Sequence, residues 1–190
     1  LMRFLHRFGF IEHSKQENGE IVFVKSFVPL SSDSSNLTAL AFHVQFGPYY
    51  IRTQDVDIYA VPIQPEYHQL LFPNLEEQLS FLTESRACGN SILKAYLCHS
   101  QKKYLAPGSL LLFYRSGGPK RVEAIGVVDR CIRSSSAEEI AQVVGKRTVY
   151  NLEDIEVMSK KETLVILFRY AIEVSPISLA EMKERKALSS

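Results

Sequence analysis

The apolar residues of the chain fall into short runs that are separated by polar turns rich in glycine, proline and asparagine. Runs of this kind predict strands connected by turns. The densest run, 110–114 (LLLFY), comes directly after 106–109 (APGS). Pro107 presets φ at the first central position of a type II turn, and Gly108 tolerates the positive φ of the second. We therefore expect a turn at 106–109 that leads into a buried strand.

Other apolar runs predict further strands, at residues 42–46, 58–63, 92–98, 122–132 and 163–170. Pro62 has no backbone N–H to donate, so it places the run 58–63 at the edge of a sheet. Gly126 inside a strand indicates a β-bulge or a close backbone approach.

Helices are predicted where a capping residue is followed three positions later by an acidic residue. These pairs are Asn74/Glu77, Ser136/Glu139, Asn151/Asp154 and Ser178/Glu181. The first pair precedes leucines at 75, 79 and 82, which share one helical face, and Gly145 ends the helix that follows the second. Short strands with a few helices beside them predict an α+β domain, a small β-barrel decorated by helices.

Residues 1–28 follow a different pattern. Leu1, Leu5 and Phe8 have helical spacing and Gly9 is a natural stop, after which two apolar stretches flank the hairpin signal Asn18-Gly19. We expect the end of a helix and a β-hairpin here, followed by a serine-rich linker.

The composition is that of an ordinary globular protein, with 46% hydrophobic and 23% charged residues. No apolar stretch approaches the ~20 residues that cross a bilayer. The three cysteines are odd in number and contain no CxxC pair, which argues against a disulfide framework and against a zinc site. We therefore expect reduced thiols, a cytoplasmic protein, no membrane association and no metal.

Charge is distributed unevenly along the chain. Residues 1–85 contain 5 Lys and Arg against 10 Asp and Glu, whereas residues 86–170 contain 14 against 8. An excess of basic residues in one part of a chain indicates a polyanionic partner, although a solvated basic face gives the same count.

The segment RFGFIEHSKQENGEIVFVKSF resembles the C-terminal end of GNAT-type acetyltransferases, in which a helix ends at a Gly-Phe pair and a hairpin follows. The resemblance implies that an acetyltransferase domain precedes this chain in cis in a longer protein. The family's glycine-rich loop for acetyl-CoA is absent, so we expect no cofactor in this fragment and assign acetyl-CoA only to the parent protein.

The segments GNSILKAYLCHS, PGSLLLFYRSG, AIGVVD and KRTVY resemble the PUA-like superfamily, and within it the ASCH and EVE branches. This resemblance implies a PUA-like small barrel that binds RNA or modified bases. The expected organisation is an acetyltransferase remnant at 1–28, a linker and lead-in at 29–56, the PUA-like domain at 57–174 and a C-terminal helix and tail at 175–190.

The chain departs from the ASCH enzymes at the residues that carry their chemistry. Those enzymes use a Gly-x-Lys-x-x-Glu-x-Arg pattern, whereas here Gly89 and Lys94 are farther apart and residues 95–99 contain no acid. We therefore predict no catalytic residue, although Lys94 and His99 are the candidates if the domain is an amidohydrolase or a nuclease.

The basic and aromatic residues in the matching segments are the predicted contacts for nucleic acid or a nucleotide, RNA more than DNA. They are Lys94, Tyr96, Arg115, Lys146, Arg147, Thr148 and Tyr150. Lys and Arg bind phosphates and aromatic faces stack on bases. The alternatives are a domain that presents substrate or binds another protein for the parent acetyltransferase, and an ASCH-type enzyme; the residues favour binding over presentation and presentation over catalysis.

Overall fold

The protein is described by a computed structural model that covers residues 1–29, 36–73, 88–117, 121–178, 181 and 184. The described residues form a mixed α+β structure, as predicted. Its helices are α1 (Met2–Arg7), α2 (Ala39–Phe46), α3 (Pro65–Leu71), α4 (Ala137–Val144) and α5 (Leu152–Ser159), with a 3₁₀ turn at Gly145–Arg147. Its strands are β1 (Ile11–Lys15), β2 (Ile21–Val24), β3 (Ile58–Ile63), β4 (Leu93–Cys98), β5 (Leu110–Arg115), β6 (Arg121–Ser134) and β7 (Thr163–Ser178).

The strands form a β1-β2 hairpin and a five-stranded sheet of order β3-β5-β6-β7-β4. The β3-β5 pair is parallel and the other pairs of the large sheet are antiparallel. The sheet is not closed, because β3 and β4 lie at its two ends and do not pair with each other. The predicted barrel is therefore corrected to an open sheet, with the predicted edge strand β3 confirmed.

Pro62 gives a physical reason for the opening. The carbonyls of Asp57 and Ile63 accept hydrogen bonds from Leu110 and Ser116, at 2.9 and 2.8 Å, so the odd-numbered carbonyls of β3 face β5. Pro62 consequently faces the open side of the sheet, where it has no N–H to offer a further strand.

The inner face of the sheet is packed with aromatic rings. Phe113 lies between Phe72 and Phe168, with ring centroids 5.0 and 4.9 Å away. A Cβ at Gly126 would lie 2.4 Å from Cδ2 of Phe168, and the β6-β7 register shifts at this glycine. The predicted irregularity at Gly126 is confirmed as a register shift, whereas the group that approaches this glycine is the Phe168 ring and not backbone.

The turn at 106–109 also has the predicted form, because Gly108 has φ +92° and the Ser109 amide donates to the Ala106 carbonyl at 3.0 Å. The buried strand that it leads into is β5.

The predicted strand at 42–46 is wrong, since these residues belong to helix α2. The hydroxyl of Thr38 caps this helix by accepting from the amide of Ala41 at 3.2 Å. Phe42 and Phe46 then lie one turn apart, with ring centroids separated by 5.1 Å. Apolar residues at 42, 44 and 46 fit a strand period, and burial of the i, i+4 pair selects the helix instead.

The four predicted helix caps differ in how far the structure reproduces them. The reciprocal capping box of Asn151 and Asp154 is present at α5. At α4, Ser136 accepts from the Glu139 amide, but the Glu139 carboxylate bonds Ser134 instead of returning to the Ser136 amide. The contacts between Ser178 and Glu181 are present. The helix predicted to begin at Asn74 lies outside the described residues, whereas α3 was not predicted at all.

The N-terminal helix and hairpin form as predicted and pack on the larger unit. The ammonium group of Lys25 donates to the carbonyls of Phe8 and Val44 at 2.8 and 3.2 Å. Arg169 of β7 donates to the carbonyl of Arg7 at 3.0 Å. The end of the hairpin is thus connected to α2, and helix α1 is connected to the sheet.

Candidate ligand-binding cleft

A cleft of about 750 Å³ lies between the two unpaired edges of the sheet, β3 and β4. We call it the seam cleft. Its lining includes Tyr59, Pro62, Tyr96, His99, Lys102 and Leu111. Concave apolar sites with a few polar groups are the usual form of ligand pockets, which makes this cleft the candidate site.

Tyr96 connects the two edges across the cleft. Its hydroxyl donates to the carbonyl of Pro62 at 2.5 Å, and its ring lies edge-on to Phe113 at 5.7 Å. Burial raises the pKa of the Tyr96 hydroxyl, followed by smaller effects of neighbouring Tyr150 and Cys98. The hydroxyl therefore stays neutral and keeps the proton that it donates.

Backbone groups of β3 also face the cleft. Because the odd-numbered carbonyls of this strand are directed at β5, the amide and carbonyl groups of Ile58 and Ala60 point to the open side. An edge strand presents such groups as unpaired donors and acceptors. Together with an apolar floor formed by Leu111, Leu164 and Ile166, they offer a flat ligand both hydrogen bonds and an apolar surface.

The rim of the cleft is basic. The Lys102 ammonium lies 5.6 Å from the ring centroid of Tyr59, in a cation–π contact. Arg133 holds the turn that carries Lys102, since its Nη1 donates to the carbonyls of Ser100 and Lys102 at 3.1 and 2.8 Å. The Arg133 guanidinium is in turn paired with Glu162 at 2.7 Å. Lys102 is therefore positioned over Tyr59 by a residue that does not line the cleft.

His99, the predicted candidate for proton transfer, lines the seam cleft but is tied to the scaffold. Its Nε2 lies 3.0 Å from the Met158 carbonyl and so carries a proton, and Thr163 Oγ1 lies 3.2 Å away. These contacts involve a carbonyl and a hydroxyl, and in the part of the chain that the structure describes no carboxylate pairs with the ring.

The predicted contact Lys94 lies deep in the protein, with 1% of its surface exposed. Its ammonium donates to the carbonyls of Cys88 and Gly89 at 2.7 and 2.8 Å and lies 5.5 Å from the ring centroid of Tyr170. Burial lowers the pKa of Lys94 to about 8. This lysine binds the backbone at the start of β4 and does not reach the seam cleft.

Arg115 lies beside α3. Its guanidinium is 2.6 Å from the carboxylate of Glu123, an arrangement that the sequence left open as an alternative to ligand binding. His68 of α3 has Nε2 3.7 Å from the other oxygen of Glu123. Burial lowers the pKa of His68 more than Glu123 raises it, so this pair is not an ion pair at neutral pH.

The remaining predicted contacts follow α4, in a turn that packs against β4. Lys146 is exposed, Arg147 donates to the Val143 carbonyl at 3.3 Å, and Thr148 is buried. The ring of Tyr150 lies 5.0 Å from that of Tyr67, and burial raises the pKa of the Tyr150 hydroxyl to about 12. Of the seven predicted contacts, all within the described residues, Tyr96 alone lines the seam cleft.

Sequence reasoning missed Tyr59 and the position of Lys102 relative to it. The alternation of the run 58–63 was a usable signal for Tyr59, because Tyr59, Val61 and Ile63 share one side of the strand. The position of Lys102 had no such signal, since it depends on Arg133, which is distant in sequence.

The described residues contain neither a metal-binding cluster nor a membrane-spanning helix. In the described ranges, no three or more His, Cys, Asp or Glu side chains are grouped so that they could hold a metal ion. None of the helices in the same ranges is long and apolar enough to cross a membrane.

Comparisons with known proteins find a similarity of fold. No protein-family model matches the chain, and no curated protein does. Among solved structures, a serine-to-alanine variant of the ASCH protein of Zymomonas mobilis matches with a TM-score of 0.51 and 12% identity, covering 72% of this chain and 84% of that one. The ASCH protein itself matches with a TM-score of 0.50 and 11% identity, covering 70% and 82%. The fold is therefore similar to that of ASCH proteins, and these matches give no support to the acetyltransferase resemblance of residues 1–28.

Proposed function

We propose that this domain binds nucleic acid, RNA in preference to DNA, by accepting an unpaired base in the seam cleft. The observation that carries the proposal is the arrangement of Tyr59 and Tyr96 around an apolar floor, with Lys102 at the rim. Single-stranded nucleic acid is bound by this combination, aromatic side chains for the bases and cations for the phosphates.

Recognition of the base would use the polar groups of the cleft. The backbone amides of Ile58 and Ala60 offer hydrogen-bond donors, and their carbonyls offer acceptors, to the edge of a planar base. The neutral hydroxyl of Tyr96, already bound to Pro62, keeps the width of the cleft fixed. These contacts serve a base that has left its stack, which is the form that single-stranded RNA loops present.

The backbone of the ligand would be held by charge. Lys102 is the basic residue at the rim, and the exposed Lys146 next to Arg147 lies on a turn that packs against β4. The basic excess of residues 86–170 has the sign that a polyanion requires. Arg115 remains a proposed contact only for a ligand that also reaches the α3 side, and Lys94, which is 1% exposed, is proposed only to support the backbone at Cys88 and Gly89.

The similarity to ASCH domain proteins agrees with this function at the level of the superfamily. The acetyltransferase resemblance of residues 1–28 leads us to propose, in addition, that the domain is one part of a larger acetyltransferase-type protein. In that protein acetyl-CoA would bind to the other domain, and the present domain would bring the enzyme to RNA.

The test is fluorescence anisotropy with a labelled single-stranded 12-mer RNA and the DNA of the same sequence, across a salt series. Lys102→Gln and Lys103→Gln carry the same net charge and lie side by side, so the second is a matched control. We expect Lys102→Gln to reduce the dependence of log K on log salt by about one unit, and Lys103→Gln to change it less. Tyr59→Leu should weaken binding about tenfold without changing that slope.

Binding that is absent at low salt would overturn the proposal. Equal effects of the two lysine substitutions, with no effect of Tyr59→Leu, would show that RNA binds by general charge and not in the seam cleft.

A further inference from the structure

A second cavity, of about 510 Å³, lies between the N-terminal helix and hairpin and the rest of the protein. We call it the hairpin pocket. Its walls are mostly apolar and include Phe4, Phe8, Phe27, Val44, Ile92 and Ala171. It shares no lining residue with the seam cleft, so it is a separate candidate for binding.

Two cations line the hairpin pocket. Lys25 is half-buried and donates two of its three N–H groups to the carbonyls of Phe8 and Val44. Arg169 is buried, with its guanidinium 5.8 Å from the ring centroid of Phe8. Burial lowers the pKa of Lys25, and the positive charge of Arg169 lowers it further, which indicates that the two cations interact.

Among the described residues, a carboxylate balances one of these two charges and not the other. Asp129 pairs with Arg169 at 3.1 Å and is not part of the lining. Within the described ranges no carboxylate forms an ion pair with Lys25. One positive charge with a spare N–H therefore remains at an apolar cavity, where an anion would be favoured.

His43, which lines the same cavity, contains a buried acceptor that no protein group uses. It lines the hairpin pocket and is 4% exposed, and its Nδ1 has no hydrogen-bond partner. The ring also forms a hydrogen bond with the backbone of Tyr50, and because Nδ1 has no partner, this bond belongs to Nε2, which therefore carries the ring proton. Burial is the larger effect and lowers the pKa of His43 to about 4, so at neutral pH Nδ1 is a bare acceptor. A buried acceptor without a donor is costly, and a ligand hydroxyl or amide N–H would satisfy it.

We infer that the hairpin pocket binds a small carboxylic acid that has an apolar body and a hydrogen-bond donor next to the carboxylate. The carboxylate would accept from Lys25, the neighbouring donor would bond Nδ1 of His43, and the apolar body would lie against Phe8 and Phe27. Lys25 and His43 line the same pocket and are neighbours, because Lys25 donates to the carbonyl of Val44, the residue after His43, and the charge of Lys25 lowers the pKa of His43. The 2-hydroxy acids and N-acyl amino acids have this chemistry.

The probe is 2-hydroxyoctanoate, with octane-1,2-diol as the uncharged analogue and octanoate as the analogue without the hydroxyl. Titration calorimetry with the whole chain should give one site. We expect the diol to bind about tenfold more weakly, because it loses a charge-assisted hydrogen bond. Octanoate should bind about fivefold more weakly, because it leaves Nδ1 of His43 without a donor.

Substitutions of the lining residues test whether the probe binds in the hairpin pocket. Lys25→Met should reduce the affinity for 2-hydroxyoctanoate to that for the diol, whereas Lys15→Met, at an exposed lysine of the same hairpin, should leave it unchanged. His43→Phe should remove the preference over octanoate. If a substituted chain does not fold, nuclear Overhauser effects from the probe's methyl group to the rings of Phe8 and Phe27 in the unsubstituted chain decide the location.

Equal binding of the acid and the diol would overturn the role of the carboxylate. Equal binding of the acid and octanoate would overturn the role of His43. Absence of binding by all three, or probe contacts outside the hairpin pocket, would overturn the inference altogether and leave RNA binding by the seam cleft untouched.

Discussion

The hydroxyl of Tyr96 on β4 and the carbonyl of Pro62 on β3 are joined by a hydrogen bond of 2.5 Å across the open side of the sheet. Because β3 and β4 form no ladder with each other, this side-chain bond takes the place of strand pairing at the seam. Pro62 prevents a continuous ladder, and Tyr96 restores one connection without filling the cleft. The width of the proposed binding site is thus set by one donor and one acceptor.

Removal of that donor should loosen the seam. We expect Tyr96→Phe to lower the free energy of unfolding by about 1 kcal/mol, the usual net value of one hydrogen bond, and to weaken RNA binding in the cleft. Urea denaturation and anisotropy measure the two effects. Tyr104→Phe is the matched control, since Tyr104 is 62% exposed, and it should change neither. Unchanged stability of Tyr96→Phe would show that the seam is held by packing alone.

Lys94 should make stability depend on pH in the alkaline range. Its pKa in the folded protein is about 8 and its ordinary value is 10.5, so between these values the unfolded chain binds more protons than the folded one. Stability should therefore rise as pH increases from 8 to 10.5, by up to about 3 kcal/mol. Lys25 has a lowered pKa and contributes with the same sign, so the quantity to measure is the difference from Lys94→Met.

The difference between the unsubstituted chain and Lys94→Met should increase across that pH range. A constant difference would mean that the ammonium is not desolvated in the folded protein. Lys94→Met should also be less stable at pH 10.5, because the carbonyls of Cys88 and Gly89 lose their donor.

Gly126 tests the packing of the inner face. Its φ is not in the left-handed region, so the cost of Gly126→Ala is steric, from a Cβ placed 2.4 Å from the Phe168 ring. We expect a loss of about 2–3 kcal/mol in urea denaturation. Gly117→Ala is the comparison, because Gly117 has φ +90° and open space around it, and backbone strain alone should cost about 1 kcal/mol. Equal losses would show that the sheet relaxes around residue 126.

The success of the prediction at Gly126 shows which parts of this fold were readable from sequence. Three features were predicted correctly: the turn at 106–109, the cap at Asn151 and the strand irregularity at Gly126. Each is determined by residues that are close in sequence, so the local sequence is enough to predict it. The helix α2 was missed for a tertiary reason, since its apolar residues satisfied two periods and burial of Phe42 against Phe46 selected one.

The site was less predictable than the fold. The predicted contacts are mostly lysine, arginine and tyrosine, because those residue types bind phosphates and bases, but residue type does not give the direction in which a side chain points. Lys94 turns inward to bind two carbonyls, and Arg115 pairs with Glu123, whereas Lys102 is exposed at the seam cleft. What separates them is the position of partners from other elements, and a local pattern contains no such information.

Arg133 tests whether a residue distant in sequence positions Lys102, because we expect Arg133 to affect RNA binding without contacting RNA. Its guanidinium donates to the carbonyls of Ser100 and Lys102 and pairs with Glu162, which fixes the turn that carries Lys102. Arg133→Ala should free this turn and give Lys102 more conformations. RNA binding should then weaken several-fold, since ordering one long side chain costs about 0.5–1.5 kcal/mol.

The control is Arg130→Ala, at an exposed arginine on the same strand, which removes the same charge. If Arg133 only positions Lys102, its loss should matter little once Lys102 is replaced, so the double variant Arg133→Ala, Lys102→Gln should bind as Lys102→Gln does. Additive losses in that cycle would mean that Arg133 contributes its own charge to the ligand. The cycle therefore separates a positioning residue from a contact residue by the coupling between two side chains.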